Sequence, residues 1–397
     1  AESDVYKRQI ERQCPREVVQ AEVVSYAKEI VPSFNAYLYF RLGYWLAKKI
    51  ARLLYRVRIG LAESQNFASI APDSTVVFVM KPRSNMDYIL VAFLAAEKAA
   101  LSYAVGEWAK IWPLQTLIRA MGAYFVRRKS GNPLYRRVLE RYINMATKEG
   151  VCQAVFPEGG LSRDGRLRPP KLGIYDYMLR NYDPQQDRDI VFIPVGINYD
   201  RTLEDRSLLR ALDPDAPRRS FWFAIRTTLR FIWRCVFLMI LSRWQRFGYA
   251  CVNFGPPISM RKYCRDNDID FNRLERDARF SEIEKLAMRV MSSIKQVVPV
   301  LPISLVATVM RQSGDQGLSA FEVEAHVNQL IEKLQDQGVP VYITSRSRVQ
   351  TILDALNMLK LRRLVVESDG IYKVCLLYTS PSPRDQLQHL VCRLMLE

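Results

Sequence analysis

The sequence predicts an α/β fold: a mixed sheet flanked by helices, with basic amphipathic helices at its surface and a small winged-helix-like domain after it. Three observations predict it. Short apolar runs alternate with helical stretches from Val76 to Ile197, the pattern of strands covered by helices. Two stretches interleave aromatic and cationic residues at helical spacing. The last third changes character, to helices followed by the hairpin string LVVESDGIYKV.

The elements follow in order. Tyr26 to Arg58 is helical, as one helix or a pair, with Tyr37, Phe40, Tyr44, Trp45 and Leu53 set among Arg41, Lys48, Lys49, Arg52 and Arg56. Val76–Met80 is a buried strand, and Asn85 to about Ala100 a helix. Leu101–Val105 is a strand, Trp108–Met121 a helix broken near Pro113, and Gly122–Arg128 a strand. Asn132–Lys148 is a helix with Pro133 in its first turn. Val151–Phe156 is a strand, Leu172–Arg180 a helix and Ile190–Ile197 a buried strand. Residues 221–247 form the second basic-aromatic stretch, with Arg226, Arg230 and Arg234 on one helical face. A strand and loop return over 248–260, and 279–296 is helical. The hairpin turns at Asp369-Gly370.

These divisions give a helical segment over 10–70, an α/β domain over 71–300 and a helical and hairpin domain over 303–374. Residues 1–9 and 375–397, which contain AESDVYKRQ and CLLYTSPSPRDQ, resemble translated adaptor sequence and read as foreign to the fold.

The 397 residues carry a net charge of +17, which calls for polyanionic company: nucleic acid, an anionic membrane or phosphorylated substrates. Seven cysteines without paired spacing and two histidines argue against a zinc site and a disulfide scaffold, and fit a reducing cytoplasm. No signal peptide opens the chain, and no apolar run approaches the ~18 residues that span a bilayer. Membrane contact is therefore expected to be peripheral, on the cytoplasmic face.

Four segments carry candidate chemistry. In KPRSNMDYIL, Arg83 and Ser84 sit at a helix start, which favours anions, and Asp87 falls in the first turn. Alone, a solvated helix cap is the better reading. GAYFVRR ends a strand in Arg127-Arg128, whose forks suit phosphate oxygens, although a surface charge run explains it as well. FPEGGLSRDGRLRPPKLG is the most informative. Gly159 and Gly160 allow close backbone approach, and Arg163, Arg166, Arg168 and Lys171 surround Glu158. That favours a phosphate-bearing ligand over a bare loop. IPVGINYDR ends a buried strand, with Pro194 marking a bulge or an edge.

Together the four blocks resemble, in order and spacing, the glycerol-3-phosphate acyltransferase and phospholipid-glycerol acyltransferase family, over roughly residues 20–374. The first motif, HRSxMDYxL, is matched at Arg83, Ser84, Met86, Asp87 and Tyr88. The second is matched at Gly122, Phe125, Val126, Arg127 and Arg128. The third is matched at Phe156, Glu158, Gly159, Gly160, Ser162 and Arg163, and the fourth at Pro194. The resemblance implies that a histidine takes a proton from glycerol 3-phosphate and Asp87 orients it. The alkoxide then attacks an acyl thioester, acyl-coenzyme A or acyl carrier protein, while the arginines and Lys171 hold the phosphate. No metal or other cofactor is implied. Asp87, Arg127, Arg128, Glu158 and Arg163 are expected around one phosphate-sized hollow.

One departure is serious. The histidine position is Pro82, which has no titratable group, and neither His326 nor His389 is placed to replace it. Losing a general base typically costs ~10²–10⁴ in rate, so this chain is expected to be inactive or impaired. Lysophosphatidate or dihydroxyacetone phosphate as acceptor, or a non-catalytic lipid-binding role, are the alternatives. Nucleic-acid binding is not expected, because the C-terminal unit carries Glu322, Glu324, Glu332, Asp336 and Glu367.

Overall fold

A computed structural model describes residues 15–60, 70–95, 101–106, 114–127, 131–162, 165, 167–204, 226, 233, 246–314, 316–343 and 348–375. Both foreign-looking ends lie outside these residues except for 375. So does the second basic stretch, apart from Arg226 and Trp233, both exposed, and residues 246–247.

Helix α1 (Arg16–Ile30) leads to a π-helical segment, Leu38–Gly43, and then to α2 (Tyr44–Leu54). Tyr39, Gly43, Ala47, Ala51 and Leu54 recur every three or four residues and are buried, so one face turns inward. Phe34, Tyr37, Phe40, Trp45 and Leu53 are exposed. Strand β1 (Arg56–Ile59) follows, where the sequence reading ran a helix to Arg58. The Arg-Val-Arg-Ile alternation has the two-residue period of a strand, and pairing along Tyr249–Val252 decides it.

The sheet then builds from β2 (Thr75–Met80), α3 (Met86–Ala95), β3 (Ser102–Gly106), α4 (Leu114–Ala120), β4 (Ala123–Val126), α5 (Pro133–Lys148), β5 (Gln153–Val155), α6 (Gly173–Leu179), β6 (Ile190–Tyr199), β7 (Tyr249–Phe254) and β8 (Ile258–Ser259). Asn132 caps α5, its side chain accepting from the N–H groups of Leu134 and Tyr135, with Pro133 at the first helical position. Gly122 enters β4 at φ 87°, and a Cβ there would lie 2.7 Å from the Leu101 carbonyl. Only glycine fits that approach.

The strand order is β1-β7-β6-β2-β5-β3-β4, with β8 pairing β6. Strands β2 to β6 all run parallel, and β7 and β8 lie antiparallel to β6. The architecture is thus a mixed, mainly parallel α/β sheet. All ten residues of β6 are buried, as a central strand covered on both faces requires. On one face Val77, Val79 and Phe192 pack against α5, α6 and helix α8 (Arg276–Val297). On the other, Met80, Ile193 and Val195 pack against α2 and α3.

Helix α7 (Met260–Asn267) links β8 to α8. Beyond them, α9 (Pro302–Gln312), β9 (Leu318–Ser319), α10 (Ala320–Asp336), α11 (Arg348–Leu361), β10 (Val365–Ser368) and β11 (Ile371–Val374) enclose a separate apolar cluster. The β10–β11 hairpin turns at Asp369 and Gly370, both with positive φ (53° and 77°), as an Asp-Gly hairpin demands.

Candidate functional site

Parallel strands place the loops after β2, β5 and β6 at one end of the sheet, where ligands gather in α/β folds. Residues 81–87 leave β2 and fold back on themselves. Asp87 is fully buried. Its Oδ2 accepts the backbone N–H of Arg83 at 2.6 Å and of Ser84 at 3.0 Å, and its Oδ1 accepts the Tyr199 hydroxyl at 2.6 Å. Ser84 is tied down: its Oγ donates to Glu204 at 2.7 Å and accepts from the Met86 N–H. Glu204 also receives the N–H of Asn85.

The loop after β5 is fastened to this one. Ser162 donates its N–H to the Pro82 carbonyl at 3.0 Å, and Lys81 Nζ donates to the Gly165 carbonyl. Gly159 sits at φ 67°, and a Cβ there would lie 2.6 Å from Lys171 Nζ, so that lysine rides directly over the glycine turn. Glu158 accepts the Arg168 N–H through Oε1 at 3.3 Å.

Arg83 ties the first loop to the end of β6. Its Nη1 donates to Asn198 Oδ1 at 2.7 Å, and its charge interacts with Asp87, Glu158 and Tyr199. Burial pulls its pKa below the ordinary guanidinium value, and those three neighbours oppose that pull. Arg83 Nε, Arg83 Nη2 and Glu158 Oε2 are shut off from solvent, and each lacks a hydrogen-bond partner among the described residues. Buried polar groups of this kind are expensive to leave unsatisfied.

The electrostatics are those of a water-poor site. Burial raises Asp87 to about 7, with the bonds from Tyr199, Ser84 and Arg83 pulling the other way and the Glu204 charge adding to the rise. Burial also raises Glu158, against the opposing charge of Lys81. Tyr199 lies well above the usual phenol range, through burial and then the Asp87 charge. The proton of that bond therefore stays on Tyr199.

Of the predicted residues, Pro82, Arg83, Ser84, Asp87, Glu158, Gly159, Ser162 and Lys171 come together in these two linked loops. Arg127 does not join them. It follows β4, three strands from β2 and hence about 14 Å across the sheet. Its guanidinium forks onto Glu29 of α1, Nε to Oε1 at 3.0 Å and Nη2 to Oε2 at 2.6 Å, and stacks over Tyr135 and Tyr26. Arg128, Arg163 and Arg166 lie outside the described residues. Gly122 shapes the turn into β4. Pro194 lies in the interior of β6, not at an edge. It sits where pairing passes from β8 to β7, and its carbonyl accepts the Gly255 N–H.

Sequence reading missed Lys81, Asn198, Tyr199 and Glu204. Lys81 and Asn198-Tyr199 stood inside strings already singled out, whereas nothing local marked Glu204. Among the described residues, no group of three or more His, Cys, Asp or Glu side chains is placed to hold a metal.

Two family profiles match in succession: "Acyltransferase" over residues 61–198, and "Glycerol-3-phosphate acyltransferase C-terminal region" over residues 236–390. Among curated relatives, glycerol-3-phosphate acyltransferase of Pseudoalteromonas atlantica is 27% identical over 368 residues, 89% of this chain and 43% of the relative. The protein of the same name from Pseudomonas syringae pv. syringae is 31% identical over 261 residues, 64% of this chain and 30% of the relative. The chain thus spans less than half the length of these relatives. Among solved structures, the 1-acyl-sn-glycerophosphate (LPA) acyltransferase PlsC from Thermotoga maritima aligns with TM-score 0.34 and 17% identity, over 73% of this chain and 87% of that one.

Proposed function

From a chain that belongs to the glycerol-3-phosphate acyltransferase and phospholipid-glycerol acyltransferase family, we propose that the site at the ends of β2, β5 and β6 serves acyl transfer from an acyl thioester to glycerol 3-phosphate. One observation carries this reading: Arg83 and Glu158 hold solvent-free polar atoms with no hydrogen-bond partner among the described residues, in the two loops that match the family's first and third motifs. Donors kept in this way suit phosphate or developing oxyanion oxygens, and an acceptor suits a hydroxyl. In the reaction, a base at position 82 takes the proton of a glycerol hydroxyl, and the oxygen attacks the thioester carbonyl. The tetrahedral oxyanion collapses, and the thiolate leaves and takes up a proton. Asp87 keeps the base oriented. Lys171, over the Gly159 turn, supplies charge for the phosphate. Arg127 joins it only when Glu29 gives way.

The base is what this chain lacks. With Pro82 in place, the site has an orienting carboxylate and nothing to orient. The same observation favours a second reading, a homologue that binds phosphorylated glycerol or its lipids without turnover. The exposed Phe34, Tyr37, Phe40 and Trp45, beside Lys49 and Arg52, suit the headgroup region of an anionic membrane. No helix among the described residues is long and apolar enough to cross a membrane. We read the three helices and hairpin of 303–374 as winged-helix-like in form, with no nucleic-acid partner expected.

Purified Pro82→His, given labelled glycerol 3-phosphate and palmitoyl-coenzyme A, tests the reading. Ester formation should rise at least ~100-fold above the chain as it stands. No ester from the variant, with saturable glycerol 3-phosphate binding to the unaltered chain, would support the non-catalytic reading instead.

A further inference from the structure

Tyr199 is the last residue of β6, and its hydroxyl reaches Asp87 Oδ1 from 112 residues away. The other carboxylate oxygen is held by two N–H groups of its own loop. A carboxylate offers about four lone-pair directions. Among the described residues three are used, which leaves one open. Tyr199 is itself fixed. Its ring packs on Tyr55 with centroids 5.2 Å apart, and the Tyr55 hydroxyl donates to the Arg201 carbonyl at 2.7 Å. The loop after β2 therefore does not set Asp87 alone. A rigid strand end, braced by the residue that closes α2, sets the second oxygen.

We propose that Tyr199 is the positioning residue of this site, holding the Asp87 carboxylate at one angle for the base at position 82. The inference rests on the acyl-transfer reading of the site. Among the described residues, the charged and titratable groups around Asp87 are Arg83 on its own loop, Tyr199 on β6 and Glu204 beyond it. A donor to the ionised carboxylate lowers its pKa, so removing the hydroxyl raises it further.

Two measurements test this. In the chain as it stands, labelled with aspartate carrying carbon-13 at Cγ, Asp87→Asn identifies the Asp87 resonance. Tyr199→Phe should then move the Asp87 titration midpoint upward by at least about half a pH unit. Tyr55→Leu, which removes the ring behind Tyr199 together with its hydroxyl bond to the Arg201 carbonyl, should move it the same way by less. In the Pro82→His variant, Tyr199→Phe should lower kcat about tenfold, leave KM for glycerol 3-phosphate within about twofold and move the acidic limb of the kcat profile to higher pH. A midpoint that stays put in both tyrosine variants overturns the proposal, as does an unchanged kcat profile. If Pro82→His makes no ester, the titration still decides the role of Tyr199 on Asp87, and the acyl-transfer reading fails separately.

Discussion

Two buried aspartates at the same end of this sheet make an instructive pair. Asp87 follows β2 and Asp200 follows β6; burial raises both to about 7. Their partners differ. Asp200 accepts two backbone N–H groups, from Tyr249 at 2.7 Å and from Ile303 at 3.2 Å, so it ties β7 and the first turn of α9 to the end of β6. Gly248, at φ 93°, lets the chain pass beside it. Asp87 instead accepts a phenol and its own loop, in a setting where Arg83 and Glu158 keep atoms without a hydrogen-bond partner among the described residues. Depth and pKa alone would pick both as functional; the company each carboxylate keeps separates a joint from the group proposed to work in the reaction.

The largest test of this contrast is pH. A folded pKa near 7 against an ordinary 3.8 means that each carboxylate favours the folded state most below pH about 4. That contribution is lost as pH rises through about 7 and is constant above it. About three units at ~1.4 kcal/mol per unit set a ceiling of about 4 kcal/mol for Asp200. Urea midpoints at pH 5 and pH 8 should differ more in the unaltered chain than in Asp200→Asn; equal differences would remove the joint from the comparison. Asp200→Ala should cost about 2–5 kcal/mol in urea unfolding, because two buried N–H groups lose their acceptor.

Smaller changes sharpen the site side. Gly159→Ala puts a Cβ at positive φ against Lys171 and should cost about 1–2 kcal/mol, while raising KM for glycerol 3-phosphate in the Pro82→His variant. Glu29→Gln weakens the fork on Arg127. It should cost under about 1 kcal/mol and lower that KM about two- to threefold; an unchanged KM would keep Arg127 as a brace between α1 and β4.

The contrast also marks what the sequence made legible. Apolar runs such as Val76–Met80 and Ile190–Ile197 announced central strands, because a strand buried on both faces has no polar alternation. The four-residue strand Arg56–Ile59 was lost between two arginines that suited a helix face just as well. At the site, residue types were legible and partners were not. Arg127 advertised a phosphate fork, yet its acid sits 98 residues away on α1. Tyr199 stood beside Pro194 in a segment already of interest, but only the register of β6 beside β2 brings its hydroxyl to Asp87. Local strings fix the chemistry a residue can do; long-range pairing fixes what it meets.

The most direct test compares the two aspartates by rate in a chain given its base. In Pro82→His, ester formation per folded molecule should fall at least ~100-fold with Asp87→Asn and stay within about fivefold with Asp200→Asn. Equal losses at the two positions, or an Asp87→Asn variant as fast as its Pro82→His parent, would contradict the account.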